Sequence, residues 1–195
     1  DGEVYGGLSV ENTDINSLLA ILNTPLTGVA GRLDGQIALT GTTTLPALQL
    51  FGSLHGGRIK GYSLDRIDLD VGLRNRVITI NELRARQGTG FVVAKGTADL
   101  QGPLALEIGG KDIDAGLLAA WLDFKAEIQG KMNFVAQISG TAQSPQAGLS
   151  LDIRDGGVTN ATFDQLFALV SLKDDIVQVN QLYINKGNHR ASAYG

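Results

Sequence analysis

Apolar and polar residues alternate along most of this chain. Ile67, Leu69, Val71 and Leu73 alternate with Asp68, Asp70, Gly72 and Arg74. A period of two puts the four apolar side chains on one face of a strand and the rest on the other. Leu33, Ile37 and Leu39 keep the same period, as do Leu48, Leu50 and Leu54. Further on, Met132, Phe134, Ala136 and Ile138 alternate with Lys131, Asn133, Val135 and Gln137, and Leu149, Leu151 and Ile153 with Ser150, Asp152 and Arg154. Breaks at Gly56-Gly57, Gly88-Thr89-Gly90 and Asp155-Gly156-Gly157 divide these runs and read as turns needing positive φ.

The alternation slips once in each half. Ile78 and Ile80 are in phase, but Leu83 and Ala85 are one residue out, with Asn81-Glu82 between them. Val177 and Val179 are followed by Asn180-Gln181 and then by Leu182 and Ile184. Two successive polar residues that restore the apolar face predict a β-bulge, which also bends the strand. Two short segments switch to helical spacing. Ile15, Leu18, Leu19 and Leu22 predict a helix with Thr13 or Asp14 as N-cap and Pro25 as its end. Ile113, Leu117, Leu118, Trp121 and Leu122 predict a second, with Asp112 as N-cap and Trp121 in the core.

The two halves resemble each other. Residues 31–96 lie over residues 130–195 without a gap, and fourteen of the 66 pairs are identical, where composition alone gives about five. The identities include Gly41/Gly140, Thr42/Thr141, Pro46/Pro145, Asp65/Asp164, Val71/Val170, Asn81/Asn180 and Gly88/Gly187. Upstream, residues 10–15 are placed over residues 108–113 with a one-residue change of offset. The expected organisation is therefore a first repeat unit at 1–99 and a second at 100–195, each of about seven strands and one short helix. The joint Leu100-Gln101-Gly102-Pro103-Leu104 reads as a tight turn. That favours a continuous array over two separate duplicated domains.

Composition removes several function classes. Twenty acidic residues against 16 basic ones, with no basic block, argue against a nucleic-acid partner. The lack of cysteine excludes disulfides, a thiolate metal site and a cysteine nucleophile. His55 and His189, the only histidines, are not repeat equivalents and read as solvated strand or turn residues. Gly109-Gly110-Lys111-Asp112 lacks phosphate-loop spacing and reads as a turn and N-cap. Asp68 and Asp70 read as a solvated strand face, where Asp68→Lys should change little. No catalytic constellation emerges, so neither enzymatic activity nor a cofactor is expected. The longest apolar stretch, residues 115–122, is far short of the roughly 20 residues of a membrane span. The chain opens without Met and stops inside an alternating pattern, so it is expected to be a piece of a longer protein. An excised slice of a continuous sheet would expose two edges that the parent covers, and end-to-end pairing of the slice at high concentration is expected.

The ordered set Gly41-Thr42-x3-Pro46, Gly57, Leu64-x2-Ile67-x-Leu69-x-Val71, Leu83-x-Ala85-x2-Gly88-x-Gly90 and Ala94-x-Gly96 resembles the repeated segment of the TamB family of AsmA-like proteins. The second unit repeats it with Gly140-Thr141-x3-Pro145, Gly156, Phe163-x2-Leu166-x-Ala168-x-Val170 and Leu182-x-Ile184-x2-Gly187. Asp14-Ile15-x3-Leu19 and Asp112-Ile113-x3-Leu117 fit the same pattern, and one position departs, Gly90 being matched by His189. The resemblance implies a mostly β fold: an elongated, curved, taco-like sheet with an apolar concave groove. It implies a periplasmic segment of a protein anchored in the inner membrane outside this stretch. The implied role is shielding phospholipid acyl chains between the two membranes, with an outer-membrane barrel partner of the BamA type. The groove-facing, lipid-contacting residues would be Leu33, Ile37, Leu39, Leu50, Leu54, Ile67, Leu69, Val71 and Leu73 in the first unit. In the second they would be Met132, Phe134, Ile138, Leu149, Leu151, Ile153, Leu166, Val170 and Leu172. Two rival readings stand beside it: a structural β-array with a closed, dry core, and a chaperone-like surface for barrel precursors.

Overall fold

The computed structural model describes residues 2–21, 29–59, 62–117, 125 and 127–195. The fold is mostly β. Twelve strands form a sheet whose order follows the chain. They are β1 (Gly6–Asp14), β2 (Val29–Gly41), β3 (Pro46–Ile59), β4 (Tyr62–Arg74), β5 (Val77–Gln87), β6 (Gly90–Asp99), β7 (Leu104–Asp114), β8 (Ile128–Gly140), β9 (Pro145–Val158), β10 (Ala161–Lys173), β11 (Ile176–Lys186) and β12 (His189–Ala193). Two compact units divide the chain: Asp1–Gly88 with Val93–Gln101, and Thr89–Val92 with Gly102–Gly195. The step from β1 to β7 holds six strands, not seven. Gly56-Gly57 and Asp155-Gly156-Gly157, read as turns, lie inside β3 and β9.

What those glycine segments hold is a bulge. Arg32 faces His55 and Ala30 faces Arg58, so β3 carries one residue more than β2. In the second unit Lys131 faces Arg154 and Gln129 faces Gly157. The extra residue bends the strand without ending it, so each strand keeps 14 residues. The bulge expected at the phase slip is present in both units. Asp70 faces Glu82 while Val71 faces Ile80, which leaves Asn81 unpaired. Leu169 faces Gln181 while Val170 faces Val179, which leaves Asn180 unpaired.

Several repeat identities are turn chemistry. After Gly41 and Gly140 the chain reverses. Thr42 Oγ1 accepts from the Leu45 N–H, and Thr141 Oγ1 from the Ser144 N–H, both at 3.1 Å. A Cβ on either glycine would lie 2.4 Å from a carbonyl oxygen, and both have positive φ, 104° and 82°. Only glycine fits there. Asp65 and Asp164 accept the N–H of Gly88 and Gly187, each at 2.7 Å. That fixes the β5–β6 and β11–β12 hairpins in the same way.

The helix α1 (Ile15–Ile21) starts where the spacing predicts. Asp14 is its cap, accepting from Asn16 N–H at 2.9 Å and Ser17 N–H at 3.2 Å. In the second unit the helical turn begins at Ala115, and its cap is Asp114, which accepts from Gly116 N–H at 2.8 Å. Asp112 is not the cap, and Ile113 belongs to β7. Both residues sit at a further bulge shared with β1. Asn12 and Asp112 have φ of 48° and 53°. Their N–H groups donate to Asp34 Oδ1 at 2.6 Å and Asn133 Oδ1 at 3.0 Å. Asn12 therefore corresponds to Asp112 and Asp14 to Asp114. The upstream offset is 100, so the placement of residues 10–15 over 108–113 is corrected. The Asp112-Ile113-x3-Leu117 match to Asp14-Ile15-x3-Leu19 falls with it. Gly109-Gly110-Lys111-Asp112 is strand and bulge rather than a turn. Pro25, Leu22, Leu118, Trp121 and Leu122 lie outside the described residues.

Candidate functional site

Strand pairing turns the alternation into a grid. In the first unit four rows cross β2, β3, β4 and β5 on one face. They are Leu39–Leu48–Leu73–Ile78, Ile37–Leu50–Val71–Ile80, Gly35–Gly52–Leu69–Leu83 and Leu33–Leu54–Ile67–Ala85. The second unit has the same grid on β8 to β11. Its rows are Ile138–Ala147–Leu172–Val177, Ala136–Leu149–Val170–Val179, Phe134–Leu151–Ala168–Leu182 and Met132–Ile153–Leu166–Ile184. All eighteen sequence-predicted residues fall on these grids, nine in each unit. Sequence reasoning passed over Leu48, Ile78, Ile80, Leu83, Ala85, Leu182 and Ile184 as site residues. Their two-residue periodicity and the return of the apolar face after the phase slip were visible, but only cross-strand register joins them to these rows.

Accessibility grades along the strands. Beside the helix ends the side chains are buried: Leu33 and Met132 are 1% exposed, and Leu54, Ile67, Phe134 and Ile153 are also buried. In the second unit Ile113, Ala115 and Leu117 are buried as well. The other twelve predicted residues are half-buried. At the opposite end Leu48 is 42% and Val177 66% exposed. All twelve strands belong to the one sheet, so among the described residues no second sheet covers this face.

The opposite face is polar and differs between units. In the first, Ser53 Oγ donates to Asp68 Oδ1 at 2.7 Å, Arg66 Nε donates to the same oxygen at 2.6 Å, and Arg66 Nη2 donates to Ser53 Oγ at 2.8 Å. Partial burial alone would raise the Asp68 pKa. The Ser53 hydrogen bond, the Arg66 hydrogen bond and charge, and the Arg86 charge outweigh it, so the pKa lies below its ordinary 3.8. Asp68 is thus a bonded, half-buried anion rather than a merely solvated one. In the second unit the equivalent position is Phe167. It stacks on Tyr183 with centroids 6.2 Å apart, and the Arg190 guanidinium lies 4.2 Å from the Tyr183 ring centre. His55 is exposed on β3 with Asp34 at 3.6 Å, and His189 is exposed on β12.

Three shallow recesses open on this polar face. One of about 440 Å³ is lined by Lys111, Asn133, Phe134, Val135, Ser150 and Asp152, and one of about 370 Å³ by Val135, Gln137, Leu149, Leu169, Val170 and Asn180, so apolar side chains share both. The third, about 300 Å³, sits over Gly72 among Gln49, Arg74 and Thr79. Among the described residues no group of three or more His, Asp or Glu is placed to hold a metal ion, and no helix is long and apolar enough to cross a membrane.

The class defined by these features is an antiparallel sheet with one apolar and one polar face, built twice on the same register. No family model, curated protein or solved structure matches the chain. The feature both units hold in common is the apolar grid with its turns and bulges. Asp68 against Phe167 and Asp70 against Leu169 show that the polar face differs between the two units.

Proposed function

We propose that this chain is a segment of a TamB-like lipid conduit in the periplasm of a diderm bacterium. In this reading its parent is anchored in the inner membrane, and the sheet curls lengthwise so that the apolar grid lines a concave groove. Phospholipid tails travel in that groove, and a barrel partner of the BamA type receives the parent at the outer membrane. The proposal assigns the chain no chemical step.

The observation that carries the reading is an apolar grid whose rows away from the helix ends are left half-accessible, without a covering sheet among the described residues. An acyl chain exposed to water costs about 0.8 kcal/mol per CH₂, so two tails of about 16 carbons cost on the order of 25 kcal/mol. Movement through water alone is negligible at that cost. A trough of Leu, Ile and Val removes most of it. It needs no tight binding, because exchange between bilayer and trough is near neutral. Six strands per repeat at about 4.8 Å would lengthen such a trough by about 29 Å.

A dry core is the competing reading, and the buried rows ending at Leu33 and Met132 favour it for the helix-side end. The two readings differ at the open rows. Native mass spectrometry of the protein purified without detergent decides between them. Phospholipid carried on the protein, and lost from variants with charges in the open rows, supports the conduit. A lipid-free protein that also takes up no phospholipid from vesicles refutes it.

A further inference from the structure

We propose that Arg66 and Arg86, with His55 beside them, form an anion site on the polar face of the first unit that takes a single phosphate group. The inference uses the polar face alone and does not depend on the conduit reading.

Strand register builds a row of basic residues there. Arg32 faces His55, His55 faces Arg66, and Arg66 faces Arg86 across β2, β3, β4 and β5. All four side chains are exposed. Arg66 and Arg86 are direct cross-strand partners of like charge, an arrangement that costs stability. The fold does not require it, because the second unit puts Gln165 and Asn185 at the same two places, facing each other. Cations also meet in the second unit, at Lys131 and Arg154. There Asp114 faces Lys131 from the far side and Asp152 binds Arg154, so that pair is balanced. The pair in the first unit is not. Its one carboxylate is Asp68, which Arg66 Nε and Ser53 Oγ occupy at 2.6 Å and 2.7 Å. The carboxylates nearby are engaged elsewhere: Asp65 with the Gly88 N–H, Glu82 with Arg84, and Asp34 beside His55 at 3.6 Å. Arg86 acts on Asp68 only through its charge, with no hydrogen bond or ion-pair contact of its own among the described residues.

The geometry suits a tetrahedral oxyanion. Asp68 and Ser53 take Nε and Nη2 of Arg66, which fixes its plane and leaves Nη1 for a ligand. One guanidinium fork satisfies the two oxygens of a carboxylate, whereas a phosphate has oxygens for forks from both strands and the charge to balance them. The next row is Asp34–Ser53–Asp68–Arg84. A broad anionic surface laid on the basic row would meet Asp34 and Asp68 as well, while a solitary phosphate would not.

The test is an NMR titration with inorganic phosphate at low salt, following the amide signals of β4 and β5. It compares the wild type with Arg86→Asn, Arg66→Gln and Arg154→Gln, with circular dichroism to confirm each fold. The first two substitutions install the residues the second unit carries at those places. The wild type and Arg154→Gln are expected to bind with a Kd of about 1 mM or tighter, and Arg86→Asn and Arg66→Gln at least about tenfold more weakly. Arg66→Gln also releases Asp68, so Arg86→Asn decides if that variant does not fold. A wild type that binds no phosphate, or an Arg86→Asn that binds as the wild type does, overturns the proposal. So does an equal loss in Arg154→Gln, which would show an effect of net charge alone. A wild type that sediments with phosphatidate vesicles but takes up no free phosphate also overturns it, in favour of a membrane surface.

Discussion

A single carboxylate placed at two positions of the apolar grid separates an open trough from a dry core. Val71 lies in the second row between Leu50 and Ile80 and is half-buried. Leu33 lies in the fourth row and is 1% exposed. Val71→Asp gives up about half the burial of one valine, roughly 1 kcal/mol, and the new carboxylate can turn to water. Leu33→Asp gives up a whole buried leucine, about 2–3 kcal/mol. It also leaves an unpaired charge in the core, which costs several kcal/mol more. That total approaches the entire stability of an ordinary domain, about 5–15 kcal/mol. The same contrast holds for Val170→Asp against Met132→Asp in the second unit. Urea and thermal melts of the four variants should show the valine pair folded and the other pair largely unfolded. Under the proposed conduit reading, phospholipid transfer between vesicles should be lost in the folded valine variants, because a tail in the groove would meet a charge. If Val71→Asp melts as early as Leu33→Asp, the face is closed at both rows and the argument fails. If it stays folded and transfers lipid normally, the tails do not pass over Val71.

Other outcomes follow from the polar face and the turns. Because the Asp68 pKa is lowered, its bonds stabilise the fold fully above pH 3.8 and lose effect as acid protonates it. Asp68→Asn should flatten that part of an acid-unfolding curve, and Asp68→Lys should destabilise, by placing a cation against Arg66 and Arg86, rather than pass unnoticed. Asp65→Ala and Asp164→Ala should each lower stability by about 1 kcal/mol in urea melts, since each removes the acceptor of a hairpin N–H. Gly156→Ala should cost about 1–3 kcal/mol. Its Cβ would meet the Phe163 ring at 2.6 Å and the Gln129 carbonyl oxygen at 2.8 Å. A melt unchanged within error would refute that packing.

Strands β4 and β8 and the bulges at Asn81 and Asn180 were legible in the chain, because a two-residue period and its slip are local properties. So was the start of α1, through Asp14 and its apolar spacing. The glycine pairs misled: Gly56-Gly57 looks like a turn, but strand pairing on both sides carries the chain through as a bulge. Asp112 misled too, because an aspartate before a helix and one at a bulge look alike until Asn133 is seen to accept its N–H. With that contact the upstream offset becomes 100.

The sequence by itself determined which side chains share a face, since alternation follows from strand geometry alone, and it determined that this face and its turns occur twice. It could not determine which rows are buried. Leu33 and Leu39 sit on the same strand in the same phase, yet one is buried and the other half-accessible. Only the tertiary structure decided that, because burial depends on what the neighbouring strands and the helix end bring up beside each row. Nor could the sequence show that Asp68 is held by Ser53 and Arg66, since cross-strand register, a long-range property, sets which polar side chains meet.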